Sequence, residues 1–313
     1  MANLQQPAGV AVRTALKGLL EVMHTHEPGV LADRDPEDLH KFRVALRRTR
    51  SYIGQLKQTL PEDRIAEFKR EFAWLGSVTG PVRDLDVFLI DLKRYRKRLD
   101  KKSFRSLEPL RDLLRDDKRN ARDQLVAQLA GKRYRSLVSS WRVFLDSPVD
   151  PGVAPRAGLP IVEVAAECIR SRHARLIRRG RKLDAMTETD RMHRLRIDCK
   201  KLRYLLEFSL GLLPNDSIEP LIATLKKLQN QLGEFNDLLV QQGALSTMVE
   251  RLDALGQTPA ETVITVDRLL KKLSSREHRV RLRFSGEFAR FDNKDTAMRI
   301  ARLTPRFDTE VPS

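Results

Sequence analysis

Two stretches of this 313-residue chain concentrate side chains suited to binding anions. The first, "HKFRVALRRTR" from His40 to Arg50, holds one histidine and five cations with no acid. The second, "HRLRIDCKKLRYLL" from His193 to Leu206, repeats the pattern. Like charges repel, so such a run needs either a solvated face or an anionic partner. Arginine dominates it, and the planar guanidinium gives two-pronged contacts to phosphate oxygens while keeping its charge at any relevant pH.

Spacing turns the composition into geometry. With ~100° per residue, His40, Arg43, Arg47 and Arg50 fall within an arc of roughly 80° on a helix. Leu39, Phe42, Leu46 and Ile53 fill the adjoining apolar sector. His193, Arg196, Lys200 and Arg203 form the same row, with Tyr204 at its edge and Leu195, Cys199, Leu202 and Leu206 beside it. Each row is ~15 Å long, enough for several successive phosphates. Arg48 and Lys201 stand ~80° or more from the main rows and point toward a different strand of any polymer bound there. Lys41 and Arg194 add charge beside the histidines.

A third row comprises Lys272, Arg276, Arg279 and Arg283, with Arg119 and Arg122 as its first-half counterpart at a drifted offset. "RSRHARLIRRGRK", ending at Lys182, adds seven cations and no acid. One charged helix face is ordinarily just solvated; matched rows in both halves favour a binding surface. His40 and His193 head their rows, which leaves two roles open: contact with phosphate, or orientation of the neighbouring side chains. Neither has a second His or Cys at i+4, so a helical metal-ligand pair is absent.

The elements carrying these rows read as helices throughout. Apolar residues recur at three- and four-residue spacing, as in Leu221, Leu225, Leu228 and Leu232, and alternating strand patterns are nearly absent. Asp35, Pro36, Glu37 and Asp38 form a helix-start signal ahead of His40. The stretch 146–160, with four prolines and two glycines, breaks the periodicity and divides the chain. Sliding the halves over each other by 153 residues superimposes His40 on His193, Arg43 on Arg196, Arg50 on Arg203, Pro61 on Pro214, Gly80 on Gly233 and Asp84 on Asp237. One constant offset through two helices and a turn indicates an internal duplication. The expected organisation is one unit, 8–302, built of repeats 8–145 and 161–302, with a linker at 146–160 and a tail at 303–313.

Composition narrows the partner. Fifty-nine Lys and Arg against 42 Asp and Glu give a net charge of +17, which favours a polyanion. The two cysteines, Cys168 and Cys199, form no C-x-x-C pair, and the first twenty residues lack a signal-peptide pattern. No apolar run approaches the ~20 residues of a membrane span. A cytoplasmic protein without membrane attachment is expected.

"HKFRVALRRTR" with "GPVRDLDVFL", and "HRLRIDCKKLRYLLEF" with "LQNQLGEFNDLL", resemble the CHAD family, the conserved histidine α-helical domain, from about residue 10 to 300. The resemblance implies an all-α fold of two four-helix bundles related by pseudo-twofold symmetry, with a basic channel between them. It also implies binding of inorganic polyphosphate and an association with polyphosphate granules. By position, the phosphate-facing residues would be His40, Arg43, Arg47, Arg48 and Arg50, with His193, Arg196, Lys200, Lys201, Arg203 and Tyr204. Lys41, Arg194, Arg119, Arg122, Lys272, Arg276, Arg279 and Arg283 would be secondary. The second half departs from the pattern in placing Asn236 where Arg83 stands, so Asp84 and Asp237 are expected to pair with arginines or to order a helix turn rather than to catalyse.

No P-loop, H-E-x-x-H, G-x-S-x-G or E-x-E-x-K motif occurs, and the basic rows are expected to exclude the clustered carboxylates that Mg²⁺-assisted hydrolysis requires. The expected role is non-catalytic, without cofactor or metal. The competing reading is a nucleic-acid-binding protein using the same rows. Against it stand an aromatic content of 6% and no series of stacking platforms. An enzyme acting on phosphoanhydrides is the third.

Overall fold

The computed structural model describes residues 5–96, 99–148, 152–184, 187–213 and 215–303. Pro214, the tail from 304 onward and residues 149–151 of the linker lie outside them. The described residues form twelve helices. They are α1 (Ala8–Ala32), α2 (Pro36–Gln55), α3 (Glu62–Tyr95), α4 (Lys101–Arg105), α5 (Glu108–Ala130) and α6 (Lys132–Asp146), then α7 (Ile161–Gly180), α8 (Thr189–Phe208), α9 (Asn215–Ala254), α10 (Ala260–Leu282), α11 (Phe284–Phe291) and α12 (Lys294–Ala301). Among the described residues only two isolated bridges, Pro7 with Pro160 and Leu210 with Leu213, depart from helix and loop. The fold is all-α.

Local chemistry sets the start of the first basic helix. The Asp35 carboxylate accepts the Glu37 amide at 2.8 Å and Pro36 takes the first helical position, where its missing N–H costs nothing. Glu37 and Asp38 then meet the positive end of the helix dipole. Its counterpart α8 opens at Thr189 behind Glu188, with no side-chain cap.

Both basic helices are fixed by their apolar stripes. Phe42 is fully buried, and Leu39, Ala45, Leu46 and Ile53 are buried with it. On α8, Leu195, Cys199, Leu202 and Leu206 are completely inaccessible. Within the first half α1 packs on α2, α2 on α3 and α3 on α5; in the second, α7 packs on α8, α8 on α9 and α9 on α10. The halves meet where α2 packs on α8. There Tyr52 meets Phe208 edge to face at 5.1 Å, and the Gln55 amide donates to the Lys201 carbonyl at 3.1 Å.

The linker packs against the start of the chain. Ala154 and Ala157 are buried, the Gly9 amide donates to the Ala157 carbonyl at 2.9 Å, and the Ala8 amide donates to Leu159 at 2.8 Å. A Cβ on Gly9 would lie 3.0 Å from that of Ala157, which explains the glycine at this crossing. Because Phe42 holds the basic row in register from the opposite face, Phe42→Ala should lower unfolding free energy by about 3–5 kcal/mol. The denaturant midpoint measures this; a change under about 1 kcal/mol would mean the pocket refills.

Candidate functional site

Side chains from both basic helices line one open cleft of ≈ 770 Å³. Arg47 comes from α2, and Arg196, Lys200, Arg203 and Tyr204 come from α8. Arg276 of α10 and Arg94 of α3 complete its cationic lining. Three acids share the wall: Asp91, Glu234 and Asp237. Six cations thus face three carboxylates.

The three carboxylates enter the basic wall singly. Each one lies beside a guanidinium group, which relieves the repulsion among the crowded cations. Glu234 accepts from Arg276 at 2.7 Å, Asp237 lies 3.6 Å from Arg196, and Asp91 accepts from Arg94 at 2.8 Å and from Gln241 at 2.6 Å. Burial nonetheless raises the Asp91 carboxyl against the pull of Arg94. Among the described residues no three His, Cys, Asp or Glu side chains are arranged to hold a metal ion.

Arg47 and Lys200 differ from their neighbours. Neither makes a hydrogen bond to another group or an ion pair among the described residues. Burial, followed by the Arg196 and Arg47 guanidinium groups, pushes the Lys200 ammonium down to about 8. The buried Nε–H groups of Arg43, Arg47, Arg48, Arg196 and Arg203 also lack acceptors. Three of these, Arg47, Arg196 and Arg203, line the cleft.

The other predicted residues are distributed around the cleft. Arg43 lies over α3, donating to Thr79 Oγ1 at 2.7 Å and to the Gly76 carbonyl at 3.1 Å. Burial lowers Arg43 despite the nearby Asp84. Asp84 in turn is raised by burial against the opposing pull of Arg43 and Arg83. Arg43 beside Asp84 and Arg196 beside Asp237 are therefore the same pair 153 residues apart, and the role foreseen for both acids agrees with this placement. Arg50 is exposed, and a Cβ on Gly76 would approach its Nη1 to 2.9 Å.

His40 is lowered by burial and then by Arg83, with Arg47 and Arg43 adding to the effect. His193 is exposed, and its Nδ1 is 2.8 Å from Asn236 Oδ1, so the Arg83-to-Asn236 difference replaces a cation beside one histidine with a hydrogen bond to the other. Arg48 donates to Glu207 at 2.7 Å, an acid of the other half, and Lys201 lies outside the cleft lining toward α7. Lys41, Arg194, Lys272, Arg279 and Arg283 are exposed. Arg122 donates to the Leu31 carbonyl at the end of α1, and Arg119 pairs with Asp116 on its own helix. Of the secondary set, the structure brings only Arg276 into the cleft wall.

The wall also contains residues that the charge rows do not reveal: Asp91, Arg94 and Tyr95 of α3, with Asn230, Glu234, Asp237 and Gln241 of α9. The available signal was a polar stripe on α9 at three- and four-residue spacing beside its leucine stripe. Tyr95 Oη lies 3.1 Å from Gln241 Oε1, which closes an α3–α9 network across the two halves.

Comparison with known proteins gives one consistent answer. A family model, "CHAD domain", matches residues 14–246. The crystal structure of the CHAD domain from the plant Ricinus communis superposes with a TM-score of 0.75 at 25% identity, covering 92% of this chain and 93% of that one. PptA from Streptomyces chartreusis superposes with a TM-score of 0.67 at 15% identity, covering 91% of this chain and 100% of that one, a likeness of fold. No curated protein matches the sequence. With the model spanning most of the chain and the paired basic helices in place, this protein belongs to the CHAD domain family.

Proposed function

We propose that this protein binds inorganic polyphosphate, without catalysis, in the cleft lined by the two basic helices. The observation that carries the reading is that Arg47 and Lys200, one from each row, line the same cavity and make no side-chain hydrogen bond or salt bridge among the described residues, with Asp237 attracting Lys200 only at longer range. The parallel packing order of α1–α2–α3–α5 and α7–α8–α9–α10 supports the two halves, 8–145 and 161–302, being copies of one helical unit joined by 146–160. On that reading the cleft belongs to a basic channel between the copies. CHAD membership supports polyphosphate as the anion and polyphosphate granules in the cytoplasm as the place of action. Among the described residues no helix is long and apolar enough to cross a membrane.

Ring placement favours polyphosphate over a nucleic acid. Tyr52 and Tyr204, the tyrosines of the rows, are each 5% exposed, so neither offers a free face to a base. Burial pushes the Tyr52 phenol up to about 12, and Arg203 sits 5.4 Å from the centre of the Tyr204 ring. Single-strand binding depends on stacking worth ~1–3 kcal/mol per base, which this wall does not supply.

Long-chain polyphosphate should bind with a steep loss of affinity in rising NaCl, by analogy with slopes near ~0.7 per phosphate neutralised on single strands. It should also outcompete tRNA and DNA at equal phosphate concentration. Displacement by nucleic acid would overturn the choice of ligand, and orthophosphate release with Mg²⁺ or Mn²⁺ would overturn the absence of catalysis. Arg47→Glu combined with Lys200→Glu should abolish binding with helicity unchanged; retained affinity would place the ligand elsewhere.

Lys200 gives a pH signature. With its free-state value at about 8, the ammonium is formed below pH 8 and must be regained on binding above it. Affinity should therefore be flat below about pH 7, about halved at pH 8, and then fall with rising pH toward about tenfold per unit. Lys200→Arg should flatten the profile, and identical profiles would refute contact with Lys200. His40, lowered by burial and Arg83, is expected to add affinity only below its ordinary 6.5, a gain absent in His40→Gln if it touches the chain. An unaltered acid-side profile in His40→Gln would assign it a positioning role.

A further inference from the structure

The arginine-rich run of α7 is not used by the cleft. Arg172, Arg175 and Arg179 share an arc of roughly 60° on that helix and face Lys201 of α8. All four surround one carboxylate, Asp198, which is 3% exposed. Asp198 accepts from Arg179 at 2.5 Å and lies 3.8 Å from Arg175 Nε. Arg172 and Lys201 make no hydrogen bond or ion pair among the described residues. Burial lowers both, and repulsion from neighbouring arginines adds to it. Four cations on one acid exceed what the fold needs to neutralise Asp198.

This cluster is not a by-product of the repeated rows. At the 153-residue offset, Arg172, Arg175 and Arg179 correspond to Leu19, Val22 and His26, and Asp198 corresponds to Ala45. Glu207, which neutralises Arg48, corresponds to Gly54, so Lys201, the equivalent of Arg48, lacks the reciprocal acid and shares Asp198 with the α7 arginines. The patch is a property of one half alone. It is also reachable from the cleft: Lys200 and Lys201 are ~100° apart on α8. On the same side of the helix, Ile197 is 36% exposed and Arg194 is exposed. A ~100° step around a helix ~10–12 Å across thus separates cleft from patch, with Ile197 and Arg194 exposed between them.

We propose that the α7–α8 face is a second anion site that takes phosphates of the same polyphosphate chain beyond the cleft. A long chain spans both sites, whereas a short one occupies the cleft alone. The inference rests on the polyphosphate reading above. Tethering makes the second contact intramolecular, so affinity gains with chain length without any change in the cleft.

The test is Arg172→Gln with Lys201→Gln, which removes the two unpartnered cations and leaves Arg179 on Asp198. Binding of tripolyphosphate and of long-chain polyphosphate is measured across NaCl concentrations, with thermal melting as the folding control. Tripolyphosphate affinity should be unchanged, while long-chain binding weakens and its log K against log salt slope becomes shallower by about 1.4, two contacts at ~0.7 each. The charge-keeping Arg172→Lys with Lys201→Arg should retain long-chain affinity. Unchanged long-chain affinity and slope in the glutamine variant overturn the second site. An equal loss for both ligands overturns the division into two sites, and a loss confined to added RNA or DNA overturns polyphosphate as the occupant. Arg47→Glu with Lys200→Glu, run in parallel, separates the readings: if it binds both polyphosphates normally, the cleft assignment fails instead.

Discussion

The constraint on which the site depends is the crowding of guanidinium groups where α2 packs on α8. Aromatic and amide contacts between Tyr52 and Phe208, and between Gln55 and Lys201, bring the two basic helices together. Their apolar stripes then leave the cations no choice of direction. Five arginines in this region keep a buried Nε–H without a protein acceptor among the described residues, and bringing their like charges together has a cost. The well-packed stripes of α2 and α8 offset that cost. On the proposed function, donors held in place in this way would lose little freedom on binding an anion.

The acids of the cleft act within the same constraint. Arg276, Arg196 and Arg94 are each restrained by a carboxylate, whereas Arg47 and Lys200 are not. The wall therefore combines cations held in hydrogen bonds or salt bridges with cations that make none among the described residues. The two halves are not electrostatically identical. Glu207 of the second half neutralises Arg48 of the first, and the reciprocal position is Gly54. Likewise His193 rests on Asn236 while His40 stands beside Arg83.

Much of this was legible because helix geometry depends on local periodicity. Asp35 and Pro36 announced the start of α2, and the three- and four-residue spacing placed Arg47, Arg196, Lys200 and Arg203 on faces that do line a cleft. Periodicity names a face but not the neighbour it meets. Nothing local in Arg48 identifies Glu207, 159 residues away, as its partner. Nothing local in Arg122 shows that it serves the Leu31 carbonyl rather than a ligand. Asp91, Tyr95 and Gln241 escaped notice for the same reason: their meaning lies in an α3–α9 contact that only the folded chain creates.

The Pro/Gly stretch between the halves has a role beyond spacing. Helix α1 begins with no side-chain cap, and its first amides, Ala8 and Gly9, find their acceptors in Leu159 and Ala157, while the Ile161 amide that opens α7 returns to Gln6. The start of each half is thus stitched to the other by main chain alone, independent of side-chain identity. Severing the chain at this seam would strip acceptors from one helix origin and unfasten the other. The origins of α1 and α7 are therefore fastened to each other by backbone hydrogen bonds, whatever side chains stand there.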